Sequence, residues 1–269
     1  MATTASTAKR FEFGKNWTRF VEKSATDERV DIAKRHILTF VGRDSLDGLD
    51  FLDIGCGSGI HSLAAYQAGA GKIRGFDYDE NSVNATNIMR RRAGEPQNWT
   101  VERGDVLNDD YVASLGKWNL VYSWGVLHHT GDVWRAIENA SKTVAKDGLF
   151  YIALYSEDVQ TDPQFWLDVK QKYNDASQAR RWLMEWWYVW NFVMGRNPLK
   201  AGQVLVRILR HRFTRGMSFF ADIRDWLGGW PMEFTRDADV IKFLAARGFE
   251  KMNIKTGEAC TEFLFRRTV

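Results

Sequence analysis

The chain reads as an α/β protein built on a doubly wound, largely parallel sheet. Two observations carry this expectation. Phe51-Leu-Asp-Ile-Gly-Cys-Gly-Ser-Gly-Ile60 is a short apolar run that ends in an acid, turns through three alternating glycines and opens into a helical pattern. Strand and helix patterns then alternate as far as Tyr155 with short loops, as in a parallel sheet covered on both faces. The bulk agrees: 269 residues, 45% apolar and 26% charged, suit one large domain or a domain with one sizeable insertion.

Each element has its own signal. Residues 11–40 look helical, with Asp27 as a cap for a face of Val30, Ile32, Ala33, Ile37, Leu38 and Val41. Strand one spans Asp50 to Ile54, and helix one runs from Ser58 to about Ala68. Lys72 to Phe76 is strand two, followed by a helix for which Asn81 or Ser82, or else Asp79, is the candidate cap, and which ends in Arg90-Arg-Arg92, where the helix dipole favours cations. Trp99–Arg103 and Asn119–Ser123 read as strands three and four. A helix over Asp132–Ala145, a turn at Lys146-Asp-Gly148 and strand five, Leu149–Tyr155, follow. At the far end come a helix over Asp237–Arg247 and strands over Phe249–Lys255 and Ala259–Phe265, close enough in sequence to pair antiparallel.

Between them the pattern breaks. The stretch from Ser156 to about Thr235 holds seven of the twelve tryptophans and is expected to be helical, punctuated by Pro163, Pro198 and Pro231. From Ala176 to Ala221 eight basic residues face one acid, Glu185, an excess that points to an anionic partner. The expected organisation is a helical cap over 1–45, a core over 46–155, a Trp-rich basic insert serving as a lid over 156–235, and a closing helix and strands over 236–269.

Ligands of an open α/β sheet sit beyond the carboxyl ends of the strands. Gly55, Gly57 and Gly59 allow a ligand to lie against bare backbone, and the following helix start offers unpaired N–H groups. Asp77, ending strand two, can accept both hydroxyl protons of a ribose diol, with Tyr78 beside it for an adenine ring. Dinucleotide-binding folds share that pairing, but their fingerprint is G-x-G-x-x-G; Asp53-Ile-Gly-Cys-Gly-Ser-Gly59 has the spacing D-x-G-x-G-x-G.

That motif resembles the first motif of the class I S-adenosylmethionine (SAM) methyltransferases. Phe11–Trp17, Trp124–Trp134 and Asp225–Glu233 extend the resemblance to a set of bacterial small-molecule methyltransferases, ubiquinone methylases among them. The resemblance implies a Rossmann-like sheet of order 3-2-1-4-5-7-6 with the last strand antiparallel, SAM as cofactor and S-adenosylhomocysteine as product. It assigns Asp53, Gly55, Gly57, Gly59, Asp77, Tyr78, Asp105, Val106 and Ser123 to the cofactor. The Ser123–His129 segment would line the path of the methyl group. His128, His129, Tyr155 and Glu233 are the candidate proton acceptors.

The acceptor is expected to be small and apolar or aromatic, methylated at oxygen, nitrogen or carbon. Asp222, Asp225, Trp226, Trp230 and Glu233 around Gly228-Gly229 offer apolar walls with a few polar groups for it. The cluster Trp182–Trp190 with Arg207, Arg210, His211 and Arg212 would suit an anionic membrane surface or lipid-like substrate across 180–215. Two rival readings are an RNA methyltransferase and a non-catalytic SAM-binding module; Ser123-Trp-Gly-Val126 lacks the Asn/Asp-Pro-Pro-Tyr run of base-amino methylases, which makes nucleic acid the weaker partner. Cys56 and Cys260 give neither a disulfide framework nor metal-ligand spacing, and the polar Met1–Ala8 lacks a signal-peptide core, so a cytoplasmic location is expected.

Overall fold

The computed structural model describes residues 11, 14–200, 202, 206, 219–257 and 260–269. The chain divides into two compact units, Phe13–Pro163 with Met232–Val269, and Met1–Glu12 with Gln164–Pro231.

The first unit begins with two helices, α1 (Gly14–Ser24) and α2 (Asp27–Val41). Thr26, not Asp27, occupies the N-cap of α2; Asp27 lies in the first turn, where its negative charge meets the positive helix end, and pairs with Arg92. Strand β1 (Phe51–Ile54) is buried along its whole length, as a central parallel strand must be. Helix α3 (Ile60–Gln67) starts two residues later than the sequence pattern suggests, because Gly59 at its N-cap is left-handed at φ 76°. Strand β2 (Ile73–Asp77) leads into α4 (Glu80–Arg92), capped by the carboxylate of Asp79 rather than by Asn81 or Ser82. Strand β3 (Trp99–Arg103) is followed by a short helix, α5 (Asp109–Ser114), that the apolar pattern does not signal.

Strand β4 (Trp118–Trp124) precedes α6 (Val133–Lys142), which is capped by Asp132. The expected turn at residues 146–148 is instead a bulge within a longer strand, β5 (Val144–Tyr155). Trp118 pairs with Val144 and Leu120 with Leu149, so extra residues are looped out around Asp147, whose φ is 60°.

The second unit is helical in its described parts: α7 (Pro163–Asp175), α8 (Gln178–Tyr188) running into a π-turn at Val189–Val193, and α9 (Phe219–Gly228). Its interior is made by Trp166, Val169, Tyr173, Phe219, Ile223 and Leu227. The basic residues Arg207, Arg210, His211 and Arg212 lie outside the described residues.

The chain then returns to the first unit through α10 (Asp237–Ala245) and strands β6 (Phe249–Thr256) and β7 (Cys260–Arg267). β7 inserts antiparallel between β5 and β6, giving the order β3-β2-β1-β4-β5-β7-β6. This is the order the resemblance implies. Each face of the sheet has its own apolar layer: Phe51, Tyr122 and Tyr151 lie against α2 and α3, while Leu52, Val121 and Ile152 lie against α6 and α10. The parallel register sets the carboxyl ends of β1, β2 and β4 side by side.

Candidate active site

The loop after β1 is bound to the end of β2 by its own backbone. The amides of Gly55 and Cys56 both donate to the Phe76 carbonyl, at 2.8 and 3.0 Å. Gly57 N–H donates to Asp77 Oδ2 at 3.1 Å, and Asp79 N–H donates to Asp77 Oδ1 at 2.9 Å. The structure thus brings the glycine loop and the Asp77 carboxylate together.

Glycine is required here for two separate reasons. Gly55, Gly57 and Gly59 all have positive φ, at 74°, 55° and 76°. A Cβ on Gly55 would overlap Val126, and one on Gly59 would lie 2.7 Å from the Cα of Thr86 in α4. At Gly57 the nearest neighbour would be the Trp17 indole from α1 at 3.4 Å. The motif allows close approach of α4 and β4 as well as of a ligand.

Tyr78, the next residue, is 45% exposed. The Arg103 guanidinium lies 5.6 Å from its ring centre, and Arg103 Nε donates to the Tyr78 carbonyl. One ring face is thereby held from β3. Asp105 spends a carboxylate oxygen on the Leu107 amide, at 2.9 Å. Val106 is buried, and its carbonyl accepts from Asn139 of α6. Ser123 is buried, and its hydroxyl donates to the Ile54 carbonyl at 3.0 Å, which ties the ends of β1 and β4 together.

Asp53 sits beneath the loop. It is buried and accepts a 2.6 Å hydrogen bond from Ser62 of α3. Burial pushes its carboxyl up to about 7; the Ser62 bond opposes this and the nearby Asp77 charge adds to it. Burial likewise drives the Cys56 thiol up, away from any reactive thiolate.

A second group forms where β4 and β5 end, and it unites all four candidate proton acceptors. The His128 ring centre lies 4.5 Å from that of His129 and 4.1 Å from that of Tyr155, and His129 meets Tyr155 edge-on at 5.7 Å. Glu233 joins them through its amide, which donates to the His128 carbonyl at 2.8 Å. Their duties differ. His128 is fully buried, and its Nδ1 accepts from the Tyr155 amide at 3.3 Å. Glu233 Oε2 accepts from the Val133 amide at 2.9 Å and so serves the N-terminus of α6. Its carboxyl is raised above the usual range by burial first, with the Val133 bond opposing and Asp132 adding to the rise.

Sequence reasoning did not single out Ser62, Trp17 or Arg103. Ser62 is a polar residue on the otherwise apolar inner face of α3, beside Leu63, Ala64 and Ala65, and that interruption is a usable signal. A third cluster was also missed. Tyr151 donates to Glu262, which lies 3.1 Å from His36 Nε2, while His61 approaches the rings of Tyr122 at 5.2 Å and Trp124 at 6.2 Å. Burial and the neighbouring His36 lower His61 to about 4, partly offset by Glu262, so it is neutral at pH 7.

Comparison with known proteins identifies the family and the fold. A family model described as a methyltransferase domain matches residues 26–259, and the chain belongs to that family. A ubiquinone biosynthesis O-methyltransferase of Rhizobium rhizogenes is 28% identical over 131 residues, covering 46% of this chain and 50% of that protein. A ribosomal protein L11 methyltransferase of Xanthomonas campestris is 40% identical over 75 residues, 28% of this chain and 24% of its own length. The chain therefore spans half or less of these relatives. Among solved structures, the magnesium protoporphyrin IX methyltransferase of Synechocystis, crystallised with S-adenosylhomocysteine, shares the fold with a TM-score of 0.53 at 15% identity over 94% of this chain and 93% of that one.

Proposed function

We propose that this member of the methyltransferase-domain family transfers a methyl group from SAM to a small, apolar or aromatic acceptor. The observation that carries the reading is the junction of Gly57 and Asp77, with exposed Tyr78 beside it. Bare left-handed backbone, a carboxylate held by two amides and a flat ring backed by a guanidinium match the carboxylate end, ribose diol and adenine of that cofactor. When bound, SAM would supply an electrophilic methyl on a sulfonium, open to in-line displacement.

The chain's own contribution is then placement and proton handling. Gly55 and Gly57 admit the ligand, and Asp77 and Tyr78 set its position relative to the end of β4. Among the four candidate acceptors, His128 and Glu233 already serve the packing around α6 and β5. His129 and Tyr155, both partly accessible, are the residues proposed to take the proton that an O–H or N–H acceptor loses. The Rhizobium relative, named for ubiquinone biosynthesis, supports a small-molecule acceptor.

The test is calorimetric titration with SAM, followed by incubation with methyl-labelled SAM and a fractionated cell extract. Micromolar binding with label in small metabolites or lipids is expected. Label in RNA or in protein would reassign the acceptor, and no binding of SAM would remove the reading altogether.

A further inference from the structure

Helix α8 is built inside out. Its only acid, Glu185, is buried: it accepts from the Tyr173 hydroxyl at 2.9 Å and from Arg224 Nε at 2.9 Å and its terminal nitrogen at 3.2 Å. Its large apolar residues are accessible, although the Trp186 ring also meets Phe220 at 5.4 Å. Trp182 is 56% exposed, Leu183 59%, Trp186 43%, and Trp190 in the following π-turn 43%. The three tryptophans recur every four residues, so they form one stripe, and the Trp182 and Trp186 rings meet at 6.1 Å. A helix bordering water usually turns its apolar stripe inward. Here the one acid is buried and the apolar stripe is accessible, which makes the stripe a contact surface for something apolar.

The charges around it identify the partner. Between Gln178 and Lys200 the only acid is buried Glu185, whereas Arg180, Arg196 and Lys200 are exposed. Indole rings in a line flanked by exposed cations suit the headgroup layer of a bilayer with negative lipids, where the rings enter the acyl boundary and the cations remain at phosphate depth. A second copy of the same face would oppose cation to cation. No helix among the described residues is long and apolar enough to cross a membrane, so contact would be with the surface. We infer that the stripe Trp182–Trp186–Trp190 docks this protein onto an anionic bilayer surface.

The test is sedimentation of the full chain with vesicles of phosphatidylcholine alone or with about one-third phosphatidylglycerol. Binding to the anionic vesicles, a blue shift of tryptophan emission and release by high salt are expected. The Trp182→Ser, Trp186→Ser, Trp190→Ser variant should lose partitioning by about tenfold or more, and an Arg180→Gln, Arg196→Gln, Lys200→Gln variant should lose the preference for anionic lipid. Thermal unfolding checks that each variant folds; should one fail, the lipid and salt dependence of the wild-type chain decides. Absence of sedimentation with either vesicle at low salt would overturn the inference. So would a lipid-independent dimer that the tryptophan variant dissolves.

Discussion

The two units place their aromatic residues by opposite rules. In the α/β unit Phe51, Phe76, Trp99, Tyr122, Tyr151 and Phe263 are almost wholly buried, while Tyr78 after β2 and Trp124 at the end of β4 are exposed. In the helical unit Trp166 is buried, but Trp182, Trp186, Trp187 and Trp190 are all accessible while a carboxylate and a lysine lie inside. The first arrangement fits a scaffold that must hold a few backbone groups still. The second fits a surface whose apolar area has a use outside the unit. On the readings proposed above, an exposed ring would serve a ligand in one unit and a partner surface in the other.

Substitutions can break this contrast, beginning with the largest effect. Asp77→Ala should weaken SAM binding by about a hundredfold or more, since two charge-assisted hydrogen bonds of about 1.5–3 kcal/mol each are at stake. Calorimetry at matched salt measures it, and unchanged affinity would move the cofactor elsewhere. Gly59→Ala should destabilise the α/β unit by about 2–5 kcal/mol in denaturant unfolding, from left-handed strain plus collision with the Thr86 backbone. In the helical unit, Glu185→Ala should cost about 1–3 kcal/mol, mainly through the buried Tyr173 hydroxyl left without its acceptor, because Arg224 is half in solvent. Trp182→Ala nearby should cost under about 0.5 kcal/mol; a larger loss would mean that its ring belongs to a packed interior.

Acidity should separate the units as well. Asp53 keeps its proton to about pH 7 when folded but releases it near 4 when unfolded, so the α/β unit loses stability as pH rises from about 4 to about 7. Asp53→Asn should flatten that slope. Lys170 of α7 is buried, donates to the Trp226 carbonyl and sits 4.2 Å from the Trp226 ring centre. Burial pushes its ammonium down to about 7, well below its value in the unfolded chain. Between pH 7 and about 10 the unfolded chain binds the extra proton, so the helical unit gains stability as pH rises. Tryptophan fluorescence, weighted to this unit by seven of the twelve tryptophans, should follow the gain, and Lys170→Met should abolish it.

How far the sequence could be read differs between the units for a physical reason. Around Asp53–Gly59 every feature is local: a buried strand, positive-φ glycines and an acid one strand away. Spacing therefore conveys the fold and the local geometry of the loop. Glu233 is different. It sits on the α6 N-terminus a hundred positions away in the chain, and nothing in its neighbours announces that. The bulge near Asp147 was hidden for a related reason, since Lys-Asp-Gly marks a reversal and a looped-out strand equally well. In α8 the tryptophan spacing fits a buried and an exposed stripe alike; only the packing of the folded unit decides which.

The place of β7 in the sheet has a consequence during synthesis. Tyr151 on β5 and Glu262 on β7 touch, yet they are 111 positions apart in the chain. While the ribosome adds the intervening segment, at about 5–20 residues per second, β5 has no neighbour on one side for several seconds or more. Its bare edge of N–H and C=O groups is then open to any extended chain. The nascent protein is most exposed to mispairing in that interval, and a chaperone covering β5 should raise its yield more than one acting on the finished chain.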